Sequence, residues 1–125
     1  MSEQDYYDPR YLKYFECFNQ QRFFEAHDVL EALWLPQRRG PNGSFYKALI
    51  QLAGAFVHWQ KQRPGPAVAL FKLARTYLQQ YPAIHEGLSV MNVLLQTDEW
   101  LRQLTAVPSG AELPAPAATP QLRLE

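Results

Sequence analysis

The chain has little cysteine, no long uncharged apolar run and no segment with the alternating pattern of a strand. Cys17 is the only cysteine among 125 residues, which excludes an internal disulfide and a cysteine-rich zinc site. We expect it to be a small buried side chain. No run of about 18 uncharged apolar residues occurs, so no membrane-spanning helix is expected. Residues 1–5 are acidic and lack the features of a signal peptide, which predicts a cytoplasmic protein.

Acidic residues are absent from one long region. The sequence has no Asp or Glu between residues 36 and 85, although this region contains many Lys and Arg, whereas residues 1–35 have an excess of acids. We expect the two regions to attract each other, within one chain or across a dimer. A surface for nucleic acid or another anion is the alternative. The bases are scattered and no phosphate-binding loop accompanies them, so no nucleic-acid partner is expected.

The chain does have large apolar residues at helical spacing, separated by prolines and turn residues. This pattern predicts five helices. Their predicted ranges are 9–20, 22–35, 45–62, a fourth from the break at 64–66 to about 81, and 90–104. Asp8, Ser44 and Ser89 are the predicted N-caps of the first, third and fifth helices.

The predicted fold class is therefore all-α: a compact bundle of about five helices arranged as helical hairpins. Residues 1–106 form a single helical domain, and residues 107–125 a flexible proline-rich tail, either disordered or docked without regular structure. A faint internal repeat aligns Tyr11, Phe15 and Phe18 with Leu52, Phe56 and Trp59. Such repeats are typical of tetratricopeptide-type hairpins, although the spacing here exceeds their usual length of about 34 residues.

The second predicted helix contains a polar pair among large apolar neighbours. His27 and Glu31 are four residues apart, so both project from the same side of the helix. Bulky apolar residues cover most of the remaining circumference, which predicts packing on more than one side. The pair is then a structural hydrogen bond that locks this helix against the third, part of a binding pocket, or part of a metal or catalytic site.

The third predicted helix is apolar nearly all round except for one stripe. This stripe, which we call the polar seam, consists of Lys47, Gln51, Gly54 and His58. If the polar seam faces His27 and Glu31, a candidate binding cluster forms from His27, Glu31, Gln51 and His58. Trp34 and Tyr46 are candidates to line a groove beside it, with burial in the core as the alternative. Gly54 should allow a neighbouring helix to approach closely.

No complete catalytic set is recognisable. A zinc-binding His-Glu-x-x-His helix would need a histidine at position 31, and no nucleophile elbow is present. We therefore expect a small binding or interaction module with a protein partner or a second copy of itself, and no resident cofactor. The alternative is a metal-dependent enzyme of hydrolase or oxidase type, with a transition metal held by His27, Glu31 and His58.

Two motifs resemble a known family. The first runs from Asn19 through the segment Phe-Phe-Glu-Ala-His-Asp-Val-Leu-Glu at residues 23–31 to Trp34, and the second is the segment 45–58 that ends at His58. Together they resemble the small all-α family known as domain of unknown function 309, over about residues 10–105. The resemblance implies a compact helical bundle in a soluble intracellular protein, and no established activity, substrate or cofactor.

Overall fold

The computed structural model describes residues 6–125, and five α-helices account for most of them. Their bounds are α1 (Pro9–Asn19), α2 (Phe23–Trp34), α3 (Gly43–Gln60), α4 (Pro64–Leu78) and α5 (Val90–Ala106). A short 3₁₀ helix, Leu35–Gln37, follows α2, and two strands of two residues each, β1 (Ile84–His85) and β2 (Leu88–Ser89), pair in antiparallel fashion. The predicted all-α fold class is confirmed. Residues 1–5, from which we argued that a signal peptide is absent, lie outside the described residues.

Two of the three predicted helix caps are confirmed. The carboxylate of Asp8 accepts a hydrogen bond of 2.8 Å from the amide of Arg10 at the start of α1. The hydroxyl of Ser89 accepts one of 3.2 Å from the amide of Asn92 at the start of α5. Both contacts satisfy an amide that has no partner within its own helix.

The predicted cap at Ser44 is wrong. Helix α3 begins at Gly43, two residues before the predicted start, so Ser44 lies inside its first turn. A Cβ atom at Gly43 would lie 2.1 Å from the carbonyl oxygen of Arg38. Only glycine therefore allows the chain to pass so close to the start of the loop that leads into α3. This close approach, rather than a capping side chain, determines where α3 begins.

Each helix packs against the next one along the chain, so α1–α2 and α3–α4 form helical hairpins. The two hairpin turns are alike. Gln21 and Gln62 both have a left-handed backbone, with φ of 66° and 61°, and each is followed by an arginine that precedes the next helix. The faint sequence repeat thus corresponds to a repeated turn geometry. The relation to tetratricopeptide repeats stays a prediction.

The core lies around α3, whose middle is buried on almost every side. The ring of Phe56 stacks on that of Phe23 at 4.7 Å and meets those of Phe71 and Trp100 edge to face. Such geometries are favoured by the quadrupoles of aromatic rings. Cys17 is buried in the same core, as expected. Within residues 6–125, neither α3 nor any other helix is long and apolar enough to cross a membrane.

Residues 107–125 lie along the helices without a helix of their own. The side chains of Leu113 and Leu122 are buried, and Leu124 makes a single bridge with Leu88 of β2. Of the two arrangements that the composition allowed, disordered or docked without regular structure, the structure has the docked one. Leucines spaced among prolines supply apolar anchors, while the prolines prevent a helix.

Candidate functional site

His27 projects from α2 and is one-third exposed, not sealed inside the bundle. Its Nε2 atom lies 3.7 Å from a carboxylate oxygen of Glu31, and its Nδ1 atom lies 3.1 Å from a carboxylate oxygen of Asp28. Both carboxylates are more than half exposed. The predicted i, i+4 pair is therefore present, but both partners of the imidazole belong to its own helix. These contacts do not lock α2 against α3.

Three helices meet where α3 carries Gly54. A Cβ atom at this position would lie 3.2 Å from Cδ1 of Leu70 on α4 and 3.9 Å from Cδ2 of His27 on α2. The expected close approach at Gly54 is thus confirmed. At Gly54 the polar seam therefore faces both α2 and α4, and the partly exposed ring of His27 lies beside it.

Two polar atoms of the polar seam are buried without a partner. Gln51 is only 7% exposed, and its Oε1 atom has no hydrogen-bond donor among the described residues. The Nδ1 atom of His58 is also buried and lacks a partner within residues 6–125. Leaving a buried polar group unpaired costs about 1–3 kcal/mol. Pairing inside the bundle therefore does not explain why the polar seam contains these groups.

The two groove candidates have different positions. The ammonium group of Lys47 lies 4.6 Å from the centre of the Trp34 indole, a cation–π geometry that places Trp34 beside the end of the polar seam. Tyr46 points the other way: its ring packs against those of Tyr11 and Phe45, and it is buried. Burial raises the pKa of the Tyr46 phenol. Tyr46 therefore belongs to the core, as the alternative interpretation stated.

The described residues contain no group of three or more His, Cys, Asp and Glu side chains placed to hold a metal ion. The structure accordingly does not bring His27, Glu31 and His58 together as a three-ligand set. His27 has its carboxylate neighbours on α2, whereas His58 lies one turn beyond Gly54 on α3. Spacing along each helix was readable from the sequence, but the distance between the two helices was not.

Two neighbours of His27, Asp28 and Phe24, are not among the residues that the sequence pattern singles out. Asp28 follows His27 directly, and the ring of Phe24 lies nearly parallel to the imidazole with 6.5 Å between their centres. Phe24 is 64% exposed, so this side of α2 is open to solvent. The large aromatic at position 24 suggested burial, and no signal in the sequence indicates otherwise.

The family of this chain follows from a comparison with protein-family models. Residues 11–75, just over half of the chain, match the model of a domain of unknown function (DUF309). The match covers most of α1, all of α2 and α3 and most of α4, and thus includes His27, Glu31 and the whole polar seam. A search of curated proteins gave no match. The chain belongs to the DUF309 family.

Proposed function

We propose that this protein is a small binding module whose site is the polar seam of α3 together with His27 and Glu31 at its edge. The observation that carries the proposal is the unpaired amide oxygen of Gln51, which is buried one turn before Gly54, the residue where α3 meets α2 and α4. A buried polar group that lowers the stability of the fold, at a position where an apolar side chain would fit, is typical of a functional site.

Beside the polar seam the two carboxylates of Glu31 and Asp28 outnumber the single ammonium of Lys47, and this balance favours a cationic ligand that donates N–H hydrogen bonds. Glu31 and Asp28 supply negative charge beside the site, and the Gln51 oxygen is an acceptor. Rotation about the last torsion of Gln51, which is soft, turns this oxygen toward an arriving donor. A lysine or arginine side chain of a partner protein has the complementary charge and donors.

The experiment uses n-butylammonium and methylguanidinium as probes, titrated into isotopically labelled protein and followed by NMR. We expect saturable shifts of the Gln51 side-chain amide and of the rings of His27 and His58. Gln51→Leu and Glu31→Gln should each weaken binding, whereas Gln80→Leu, which removes an exposed amide from the end of α4, should not. Shifts that do not saturate, or that acetate reproduces equally, would contradict the proposal.

A further inference from the structure

The tail is held through its main chain by amide side chains of the helical domain. Gln62 accepts a hydrogen bond of 2.6 Å from the amide of Leu113 and donates one of 3.1 Å to the carbonyl of the same residue. Asn19 repeats this arrangement with Leu122, at 2.7 and 2.8 Å. A carboxamide matches the backbone N–H donor and C=O acceptor of a single residue, so these contacts recognise an extended backbone, whatever its side chains.

Three further hydrogen bonds also join side chains of the helical domain to the main chain of the tail. The indole N–H of Trp59 donates to the carbonyl of Pro114 at 2.8 Å. The Gln21 amide donates to the carbonyl of Pro120 at 3.1 Å, and Gln103 accepts from the amide of Ala117 at 2.9 Å. The prolines of the tail offer only carbonyls, and the domain supplies the donors that such a chain needs.

Side-chain selectivity comes mainly from the leucine. Leu113 is 5% exposed, whereas its neighbours Glu112, Pro114 and Ala115 are exposed. Beside this anchor lies a pocket of about 330 Å³ that the tail leaves unfilled. The pocket is lined by the aromatic side chains Phe23, Phe56 and Trp59, by the amides Gln21, Gln60 and Gln62, and by Leu113 and its neighbours.

The segment that joins α5 to this anchor contributes little to holding it. Residues 108–112 are all exposed, and Gly110 adopts a left-handed backbone with φ of 82°. The anchored part of the tail is therefore connected to the domain by a tether that is not itself packed. A tether of this kind gives its ligand an effective concentration in the millimolar range.

We propose that the surface formed by Trp59, Gln62 and the adjoining pocket is a docking site for an extended, proline-containing peptide of a partner protein, anchored by one leucine. Residues 113–117 occupy it within the same chain and show the chemistry that it accepts: a leucine, then prolines and small residues in an extended backbone. This surface lies apart from the polar seam, so the inference does not depend on the function proposed above. Recognition of proline-rich segments by an aromatic residue and N–H donors is an established mode of peptide binding.

The test is carried out on the full chain with the anchor weakened by Leu113→Asp. The probe is a fluorescent peptide with the sequence of residues 111–118, and its binding is followed by anisotropy. We expect saturable binding to the L113D chain, about tenfold or more tighter than to the unchanged chain, where the tethered tail competes. A peptide with aspartate in place of leucine should not bind.

Two further variants in the L113D chain distinguish the proposed site from unspecific binding. Gln62→Ala should weaken binding of the peptide about tenfold, because it removes both hydrogen bonds to the leucine backbone. Gln80→Ala, at an exposed amide outside the surface, should leave binding unchanged. Binding that Gln62→Ala leaves unchanged, or absence of binding to an L113D chain that melts cooperatively, would overturn the proposal.

If L113D does not melt cooperatively, Leu113→Ala replaces it in the same titration. An independent measurement uses the unchanged, isotopically labelled chain, where unlabelled peptide at millimolar concentration should shift the backbone amide resonance of Leu113, because the displaced tail loses its hydrogen bond to Gln62. A resonance that does not move at this concentration counts against the proposal as directly as a failed titration.

Discussion

Gln51 lies on α3 between the buried side chains of Ile50 and Leu52, and its amide oxygen has no partner among the described residues. Replacing such a group by an apolar one of similar size removes the desolvation penalty without creating a cavity. We predict that Gln51→Leu raises the free energy of unfolding by about 1 kcal/mol. Urea unfolding at pH 7 measures this, with Gln80→Leu as the control that should change little. A loss of stability in Q51L would mean that the amide is paired in solution.

His27 leads to a different expectation. Its contacts with Glu31 and Asp28 join side chains of one helix that are open to solvent, and such pairs contribute about 0.3–0.5 kcal/mol or less. Alanine is in addition the better helix former. We predict that His27→Ala changes the free energy of unfolding by less than about 0.5 kcal/mol, measured by thermal and urea unfolding.

His85 provides the comparison for this prediction. Its ring packs between Phe45 and Tyr81, with centres 4.8 and 4.7 Å away, and its Nε2 atom lies 2.6 Å from the Asn42 side chain. His85→Ala should therefore cost about 1–2 kcal/mol, because it removes packing together with a partly buried hydrogen bond. If His27→Ala proves as costly as His85→Ala, His27 does lock α2 against α3.

The helical period alone predicted that His27 and Glu31 share one side of α2. It could not predict that this side is open. Phe24 and Leu35 are large and apolar, which indicated burial, yet both are more than half exposed. The free energy gained by burying one aromatic ring is small beside the packing of the whole helix. Which side of α2 faces α3 is decided by all contacts together, and no local pattern encodes that sum.

At the scale of the helix, two glycines of α3 have opposite surroundings. At Gly54 the nearest atom to an added Cβ would be a methyl group of Leu70, at 3.2 Å, and Leu70 is partly exposed, so it can move away. At Gly43 the nearest atom would be the backbone oxygen of Arg38, at 2.1 Å, which cannot move without the loop.

We predict that Gly54→Ala stabilises the protein by about 0.5 kcal/mol, since the gain in helix propensity exceeds the cost of a small shift of Leu70. Gly43→Ala should cost about 2–3 kcal/mol through the clash with the backbone. Thermal unfolding of the two variants, which carry the same substitution in the same helix, makes the comparison. Equal losses in both would show that Leu70 is fixed in place.

The helices themselves were predictable to within a few residues, because proline, capping residues and helical spacing all act locally. Pro9 and Pro64 begin α1 and α4, and Ser89 caps α5. The start of α3 was missed because it depends on contact with Arg38, and the docking of the tail depends on Asn19 and Gln62, far away in the sequence. The contact of Gly43 with Arg38 depends on the exact path of a five-residue loop, and contacts as distant as those of the tail leave no mark in the composition of either segment.

Across the whole molecule, the uneven distribution of charge is not resolved by direct pairing. Among residues 6–125, most ion pairs join near neighbours in sequence, and the pair of Arg75 with Asp98 is the one between different helices. Residues 6–35 and 36–85 make no ion pair with each other in the part of the chain that the structure describes. Attraction between the two regions within one chain would therefore have to act at longer range, where salt screens it, and attraction across a dimer stays a prediction.

The response of the whole molecule to alkaline pH follows from its buried tyrosines. Burial raises the pKa of Tyr14 well above its ordinary value, and that of Tyr11 and Tyr46 as well. Because the folded pKa of each phenol is higher than the unfolded one, their contribution to stability is complete below about pH 10. It is lost as the pH rises further, by about 1.4 kcal/mol per pH unit for each phenol that stays protonated only in the folded state.

Tyr14→Phe isolates one of these groups. The Tyr14 hydroxyl donates a hydrogen bond of 2.6 Å to the carbonyl of Leu49 on α3, so its removal should cost about 1 kcal/mol at pH 7. At pH 11 the phenylalanine variant has one phenol fewer to keep protonated. The difference in unfolding free energy between the variant and the unchanged chain should therefore shrink by about 1.4 kcal/mol, which removes the loss seen at pH 7. Urea unfolding at both pH values measures the difference. The control is Phe18→Leu, which alters a fully buried ring without a hydroxyl and should lower the unfolding free energy by the same amount at both pH values. If the loss caused by Tyr14→Phe is also the same at both pH values, Tyr14 does not contribute to alkaline unfolding.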